Sequence, residues 1–157
     1  MFQLASDKDL LNLLYIMTPS ILIAPKDLCF ITSDQPVSIF NPVANVNDLQ
    51  GKGIKHPQTE ISLPLSNEVL LLLNWSKKEK PQKILSKEEV HEFNRRSIIM
   101  ADSLIFTSQA SDDLLEMIKK YNNLSAGIDI STKDCGKEIF TALRLKPVMQ
   151  EAKYREK

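Results

Sequence analysis

Net charge is the first thing this chain lacks. Lys plus Arg number 20 and Asp plus Glu number 20, so the formal net charge is zero. Without a basic excess the whole chain has no electrostatic drive toward nucleic acid or an anionic membrane surface, and a nucleic-acid partner is unsupported. Cysteine is scarce too. Cys29 and Cys135 lie far apart, neither sits in a C-x-x-C pair, and a zinc or redox site has no sequence basis. Cys29 falls in an apolar run and reads as a small core residue. His56 stands in a polar stretch before Pro57 with no second ligand at useful spacing, so it reads as a solvated loop histidine and not a metal ligand. No apolar run is long enough to cross a bilayer. Residues Met1 to Asp7 lack the basic and apolar regions of a signal peptide. A soluble cytoplasmic protein without a membrane partner is the expectation. Neither an internal repeat nor a low-complexity tract is present.

What is there suffices for one core. The chain has 157 residues, 43% hydrophobic and 25% charged, an ordinary composition for one globular domain. We expect a single α+β domain over residues 1–149 and a charged, frayed tail over 150–157.

Helix signals are the clearest. Ser6 and Asp9 resemble a helix start, and Leu10, Leu13, Leu14 and Met17 follow at helical spacing until Pro19. Ser86 with Glu89 is a capping box opening a helix that carries Val90, Phe93, Ile98 and Ala101, with Asn94 on or beside that face. Ser111 caps a third helix. Asp112 and Asp113 in its first turn and Lys119 and Lys120 in its last suit the helix dipole. Leu114, Leu115, Ile118 and Tyr121 form its apolar side. A short fourth helix is expected over about residues 137–145, after a loop from Asp129 to Gly136.

Strand signals are shorter. Ile21 to Ala24 and Leu28 to Ser33 flank Pro25-Lys26-Asp27 and read as a hairpin. Val37 to Phe40, Glu60 to Ser66, Val69 to Leu73 and Leu104 to Phe106 are further strands, the last two buried. Gly51-Lys52-Gly53 lacks the spacing of a phosphate loop. Residues 41–58 read as a surface excursion. Residues 74–85 read as a polar connection in which Trp75 is an anchoring aromatic, preferred over a stacking platform for bases. The expected architecture is a mostly antiparallel sheet of about five strands with three or four packed helices.

One stretch is more specific than the rest. Phe30-Ile31-Thr32-Ser33-Asp34-Gln35-Pro36-Val37 resembles the "FITSDNPV" hallmark of a bacterial family designated domain of unknown function 4238. Leu63-Pro64-Leu65-Ser66 resembles that family's "FPLSP" segment. Val90, Asn94 and Ala101 to Ser108 resemble its helix-then-strand segment. The resemblance runs from about residue 10 to residue 110 and implies no established activity. Gln35 replaces the usual Asn, and Asn67 stands where Pro is common. Members of the family usually carry a His-Tyr-Val-Pro-Gln type motif before the Ser-Asp pair, and none precedes Ser33 here. The resemblance therefore implies the C-terminal half of such a protein.

The candidate site residues are Ser33, Asp34, Glu60 and Asn94. Asp34 and Glu60 could form a carboxylate pair for acid-base work or for holding a divalent metal, the only cofactor this sequence suggests. Metal-assisted hydrolysis, with nucleic acid as one substrate class, is the reaction such a pair would serve. A Ser without a paired His gives no triad, and nothing places His91 near Ser33. The competing account is structural. Asp34 accepts amides of a turn, Ser33 assists, and Asn94 ties down backbone. Two function classes follow. The favoured one is a non-catalytic interaction or regulatory module whose partner is another protein chain, a missing N-terminal half, or a second copy. The alternative is a hydrolase centred on Asp34.

Overall fold

The computed structural model describes residues 7–41, 54–77, 80–121, 125–134 and 139–150. Along the chain these form α1 (Asp7–Ile16), β1 (Thr18–Ile23), β2 (Thr32–Ser33), β3 (Ser38–Phe40), β4 (Glu60–Pro64), β5 (Val69–Asn74), β6 (Gln82–Ile84), α2 (Lys87–Met100), β7 (Ile105–Phe106), α3 (Asp112–Tyr121), β8 (Ser125–Asp134) and β9 (Ile139–Gln150). The fold is α+β. A five-stranded sheet runs in the order β3-β4-β5-β1-β6, and two two-stranded ribbons pair β2 with β7 and β8 with β9. Every pair in the sheet is antiparallel except β1–β6, which is parallel. The expected fold class holds.

Local chemistry accounts for the helices. Ser86 accepts the Glu89 amide, and the Glu89 carboxylate accepts the Ser86 amide, so the capping box closes in both directions. These contacts satisfy backbone donors that a helix start leaves without partners. Ser111 Oγ accepts the Leu114 amide in the same way at α3. In β5 alternate residues Leu70, Leu72 and Asn74 are buried, the period of two that a strand imposes. Leu70 and Leu72 join Leu22, Ala24, Leu85, Val90, Phe93 and Phe30 around one core. Phe30 meets the Phe93 ring edge to face at 6.4 Å. A second, smaller core gathers Ile31, Ile98 and Leu114, with Ile105, Met117, Ile118 and Tyr121 against it.

Several sequence expectations need correction. Ile21 to Ser33 is not a hairpin. The turn at Pro25 exists, with the Leu28 amide bonded to the Pro25 carbonyl, but both edges of β1 are already taken by β5 and β6. Only Thr32 and Ser33 of the expected second strand are extended-paired, and they pair with β7. The helix ends before Pro19 as expected, at Ile16, and Pro19 itself lies in β1, exposed, opposite Leu73. The polar connection 74–85 contains β6, which the sequence hides because all three of its residues are exposed. The Leu104–Phe106 strand is short, and both Leu104 and Phe106 are exposed. Leu115 is also exposed, and Met117 takes its place inside.

The expected fourth helix is strand β9, hairpinned with β8 through pairs such as Ile130 with Leu143 and Thr132 with Thr141. Ile139, Thr141, Leu143 and Leu145 recur every second residue, and this period outweighs the helical spacing of Phe140 and Leu143. The pairing is regular from Gly127–Lys146 onward and shifts beyond it, next to Pro147, which has no N–H for a ladder. Most of the 41–58 excursion, Cys135 and the tail beyond residue 150 lie outside the described residues. No helix among the described residues is long and apolar enough to cross a membrane.

Candidate functional site

The stretch 29–37 leaves the first core and runs along α2. At its end Ser33 Oγ donates to the Gln35 carbonyl at 2.9 Å and accepts the Gln35 amide at 3.1 Å. This closed turn points the next carboxylate across the chain. Asp34 Oδ1 accepts the Asp102 amide at 2.9 Å. Its Oδ2 accepts the amides of Ser103 at 2.8 Å and Leu104 at 3.2 Å. In return the Asp34 amide donates to the Leu104 carbonyl at 3.2 Å. One exposed side chain thereby fastens the turn that leaves α2. Desolvation pushes the Asp34 pKa up. The amides of Ser103, Asp102 and Leu104 together push it further down, so it lies below its ordinary 3.8.

Asn94 does the same work from the helix. It is 6% exposed. Its Oδ1 accepts the Ile31 amide at 3.0 Å, and its Nδ2 donates to the Cys29 carbonyl at 2.9 Å. A side-chain amide holds a donor group and an acceptor group side by side in one plane, so Asn94 pairs with residues 29–31 much as a neighbouring strand would. This matters because residues 28–31 belong to no strand, and buried backbone polar groups need partners. The Phe30 amide finds its own on the other side, at the Asn67 carbonyl.

Glu60 belongs to a different set. On the helix-facing side of the sheet, Phe40 and Glu60 sit opposite each other on β3 and β4. Arg96 reaches over from α2, its Nη1 donating to Glu60 Oε2 at 2.6 Å and its Nε to Glu92 Oε1 at 3.0 Å. The Arg96 side chain is only 9% exposed. Its guanidinium lies 3.9 Å from the Phe40 ring centre and 4.8 Å from that of Phe93. Arg95 donates to both Glu92 oxygens. Desolvation raises the Glu92 pKa, and the hydrogen bonds from Arg95 and Arg96 more than reverse it. The bond to Glu92 raises the Arg95 pKa. A planar, permanently charged fork suits this double pairing with aromatic stacking.

Nearby, the register lines up Ser38, Ser62, Leu72 and Ser20 across four strands. All four are buried. The sheet's helix-facing side is thus apolar toward Leu22 and Leu70 and polar toward Glu60.

These observations stand on a family background. The sequence profile described as "Protein of unknown function (DUF4238)" matches residues 3–111. The chain belongs to this family. Comparison with curated proteins and with solved structures gave no match. The Asp34 turn, Asn94 and the Glu60–Arg96 pair all fall inside the DUF4238 match, whereas β8 and β9 lie beyond it.

Within the DUF4238 region the four residues selected from sequence divide in two. Ser33, Asp34 and Asn94 act on one continuous backbone path, from Cys29 through Gln35 to the turn at 102–104. Glu60 instead pairs with Arg96. Asp34 and Glu60 have no hydrogen-bond partner in common. Among the described residues no group of three or more His, Cys, Asp and Glu could hold a metal. Sequence reasoning missed Arg96, although Glu92 four residues earlier on a helix is a recognisable signal for an ion pair. His56 is half-buried and not fully solvated as expected. Its Nδ1 accepts the Gln58 amide and faces Asn41 Nδ2 at 3.1 Å. Trp75 is the anchor expected, its Nε1 donating to the Ile54 carbonyl at 2.9 Å. An open groove of about 490 Å³ lies between α2 and α3, lined by residues that include His91, Arg95, Met117 and Tyr121.

Proposed function

We propose that this chain is a non-catalytic interaction or regulatory module, with the Ser33–Asp34 segment as its internal fastening. One observation carries the reading. Each polar group nominated for chemistry is committed to a bond within the protein: Ser33 to Gln35, Asp34 to three amides, Asn94 to Cys29 and Ile31, and Glu60 to Arg96. A general base or metal ligand must offer a lone pair to a substrate or ion, and in Asp34 main-chain donors engage both oxygens. The outer face of the β2–β7 ribbon supports the reading from another side. There Leu104 and Phe106 are exposed two residues apart, a placement that suits a partner surface.

The competing hydrolase is tested directly. Mg²⁺ and Mn²⁺ are titrated calorimetrically into the wild type and Asp34→Asn, and bis(p-nitrophenyl) phosphate is offered with each metal. The module reading expects no saturable metal binding, no turnover, and a lower melting temperature in Asp34→Asn. Metal binding and hydrolysis that vanish in Asp34→Asn at an unchanged melting temperature would establish the hydrolase instead.

A further inference from the structure

We propose that the main-chain amides of residues 102–104 form a carboxylate-binding site in their own right, and that Asp34 is its built-in, replaceable occupant. The proposal rests on the reading of Asp34 as an internal fastening and goes one step further: the receptor exists without the residue that fills it.

The amides of Asp102, Ser103 and Leu104 belong to consecutive residues and converge on one carboxylate at 2.9, 2.8 and 3.2 Å, the first on Oδ1 and the other two on Oδ2. Successive N–H groups aimed into one concavity make an anion site out of backbone alone. Because both oxygens are engaged, the set matches a planar two-oxygen carboxylate and not a spherical ion. The loop is held at both ends by contacts that do not use the Asp34 side chain. Before it, Ala101 is buried, and its amide closes α2 on the carbonyls of Ser97 and Ile98. After it, Ile105 pairs with Ser33 in the β2–β7 ribbon and packs against the second core. The Asp34 main-chain amide also bonds to the Leu104 carbonyl, a bond that any side chain at position 34 permits. Only residues 102–104 span these fixed points, so the N–H groups are preorganised and bind without an ordering cost.

Asp34 and residues 102–104 are all exposed, so a dissolved anion reaches the amides once the side chain is gone. Two features oppose it. Asp102 carries the one other charge of the loop, and its Oδ2 accepts the Ser103 hydroxyl at 3.4 Å. The C-terminal end of α2, just before the loop, adds partial negative charge. A free carboxylate therefore binds weakly, with a dissociation constant on the order of 0.1 M. In the intact chain Asp34 is tethered beside the amides at a far higher effective concentration. It excludes free anions and keeps the site closed.

The test is thermal unfolding of Asp34→Ala, which lacks only the carboxylate, in sodium formate against sodium chloride of the same ionic strength. The melting temperature of Asp34→Ala is expected to rise saturably with formate, by about 3–6 °C at roughly ten times the dissociation constant. In the isotope-labelled variant the amide resonances of residues 102–104 should move with the same midpoint. Wild type and Asn94→Ala, a destabilised variant that keeps Asp34 in place, should show no formate-specific rise. If Asp34→Ala is unfolded at room temperature, formate is expected to restore the far-UV spectrum of the folded chain. Formate that acts on Asp34→Ala no differently from chloride, folded or unfolded, overturns the proposal. An equal rise in Asn94→Ala overturns it too, since that is a general solvent effect. If formate fails while Asp34→Asn loses stability without binding metal, the fastening stands and the receptor alone falls.

Discussion

Asp34 shows what a single carboxylate does when main-chain amides surround it. Three consecutive N–H groups converge on its two oxygens, an arrangement that favours the charged form. The pKa in the folded protein therefore lies below 3.8. In the unfolded chain the group returns to its ordinary value. A carboxylate with a depressed folded pKa contributes stability that is present above the unfolded pKa and is lost as pH falls through the folded one. Asp34→Asn removes this contribution, because a neutral amide accepts the three N–H groups less strongly and only through its one oxygen. The melting temperature of the wild type should exceed that of Asp34→Asn at pH 6 to 7, and the gap should close as the pH drops below about 4. Glu89, Glu92 and Asp113 are also depressed, but they are present in both proteins and cancel in the comparison. A gap that stays constant with pH would mean that the amides do not hold the carboxylate.

α2 organises the other elements, and Asn94 is its grip on them. Truncation in Asn94→Ala leaves the buried Ile31 amide without an acceptor and the Cys29 carbonyl without a donor. Such a loss costs about 1–3 kcal/mol, several degrees in melting temperature for a domain of this size. Asn94→Asp should not rescue it, because a carboxylate can accept from Ile31 but cannot donate to Cys29. Thermal unfolding of both variants checks this, and a melting temperature within a degree of wild type in Asn94→Ala would refute it. The helix itself was legible in the sequence: Ser86 and Glu89 mark its start, and Val90, Phe93 and Ile98 mark its buried face. Asn94 was legible as a polar residue beside that face with a tethering role. Strand partners were not. β1 carries no mark that its neighbours would be β5 and β6, since those pairings are set by tertiary packing and not by the local turn at Pro25. β6 escaped notice because an exposed three-residue edge has no apolar period. β9 was misread because Phe140 and Leu143 also satisfy a helical spacing. The Arg96–Glu60 pair spans two elements distant in sequence, and only the fold brings them together.

At the scale of the molecule, residues 30 and 31 join the two cores. Phe30 is 3% exposed and lies in the core beneath the sheet, whereas Ile31, at 1%, lies in the core between α2 and α3. Adjacent residues of an extended segment point to opposite sides, so a single peptide unit carries packing from one core to the other. α2 contributes to both, through Val90 and Phe93 to the first and Ile98 to the second. Two cores sharing a helix and a peptide unit should unfold together. Removing the Ile31 side chain beyond Cβ leaves a cavity in the smaller core and should cost about 2–5 kcal/mol. Because the cores are coupled, the sheet should feel that loss in full. Trp75 is the only tryptophan, and its indole is hydrogen-bonded beside the end of β5, so its fluorescence reports on the sheet. Far-UV circular dichroism at the helical minimum reports on the helices, and α2 and α3, which flank the smaller core, supply the larger part of the described helical residues. In the wild type the two probes should give one coincident transition in urea, as two-state unfolding requires. In Ile31→Ala both should shift together to lower urea. If the helical signal moved while the Trp75 transition stayed in place, the two cores would be independent and residues 30–31 would be a linker between them.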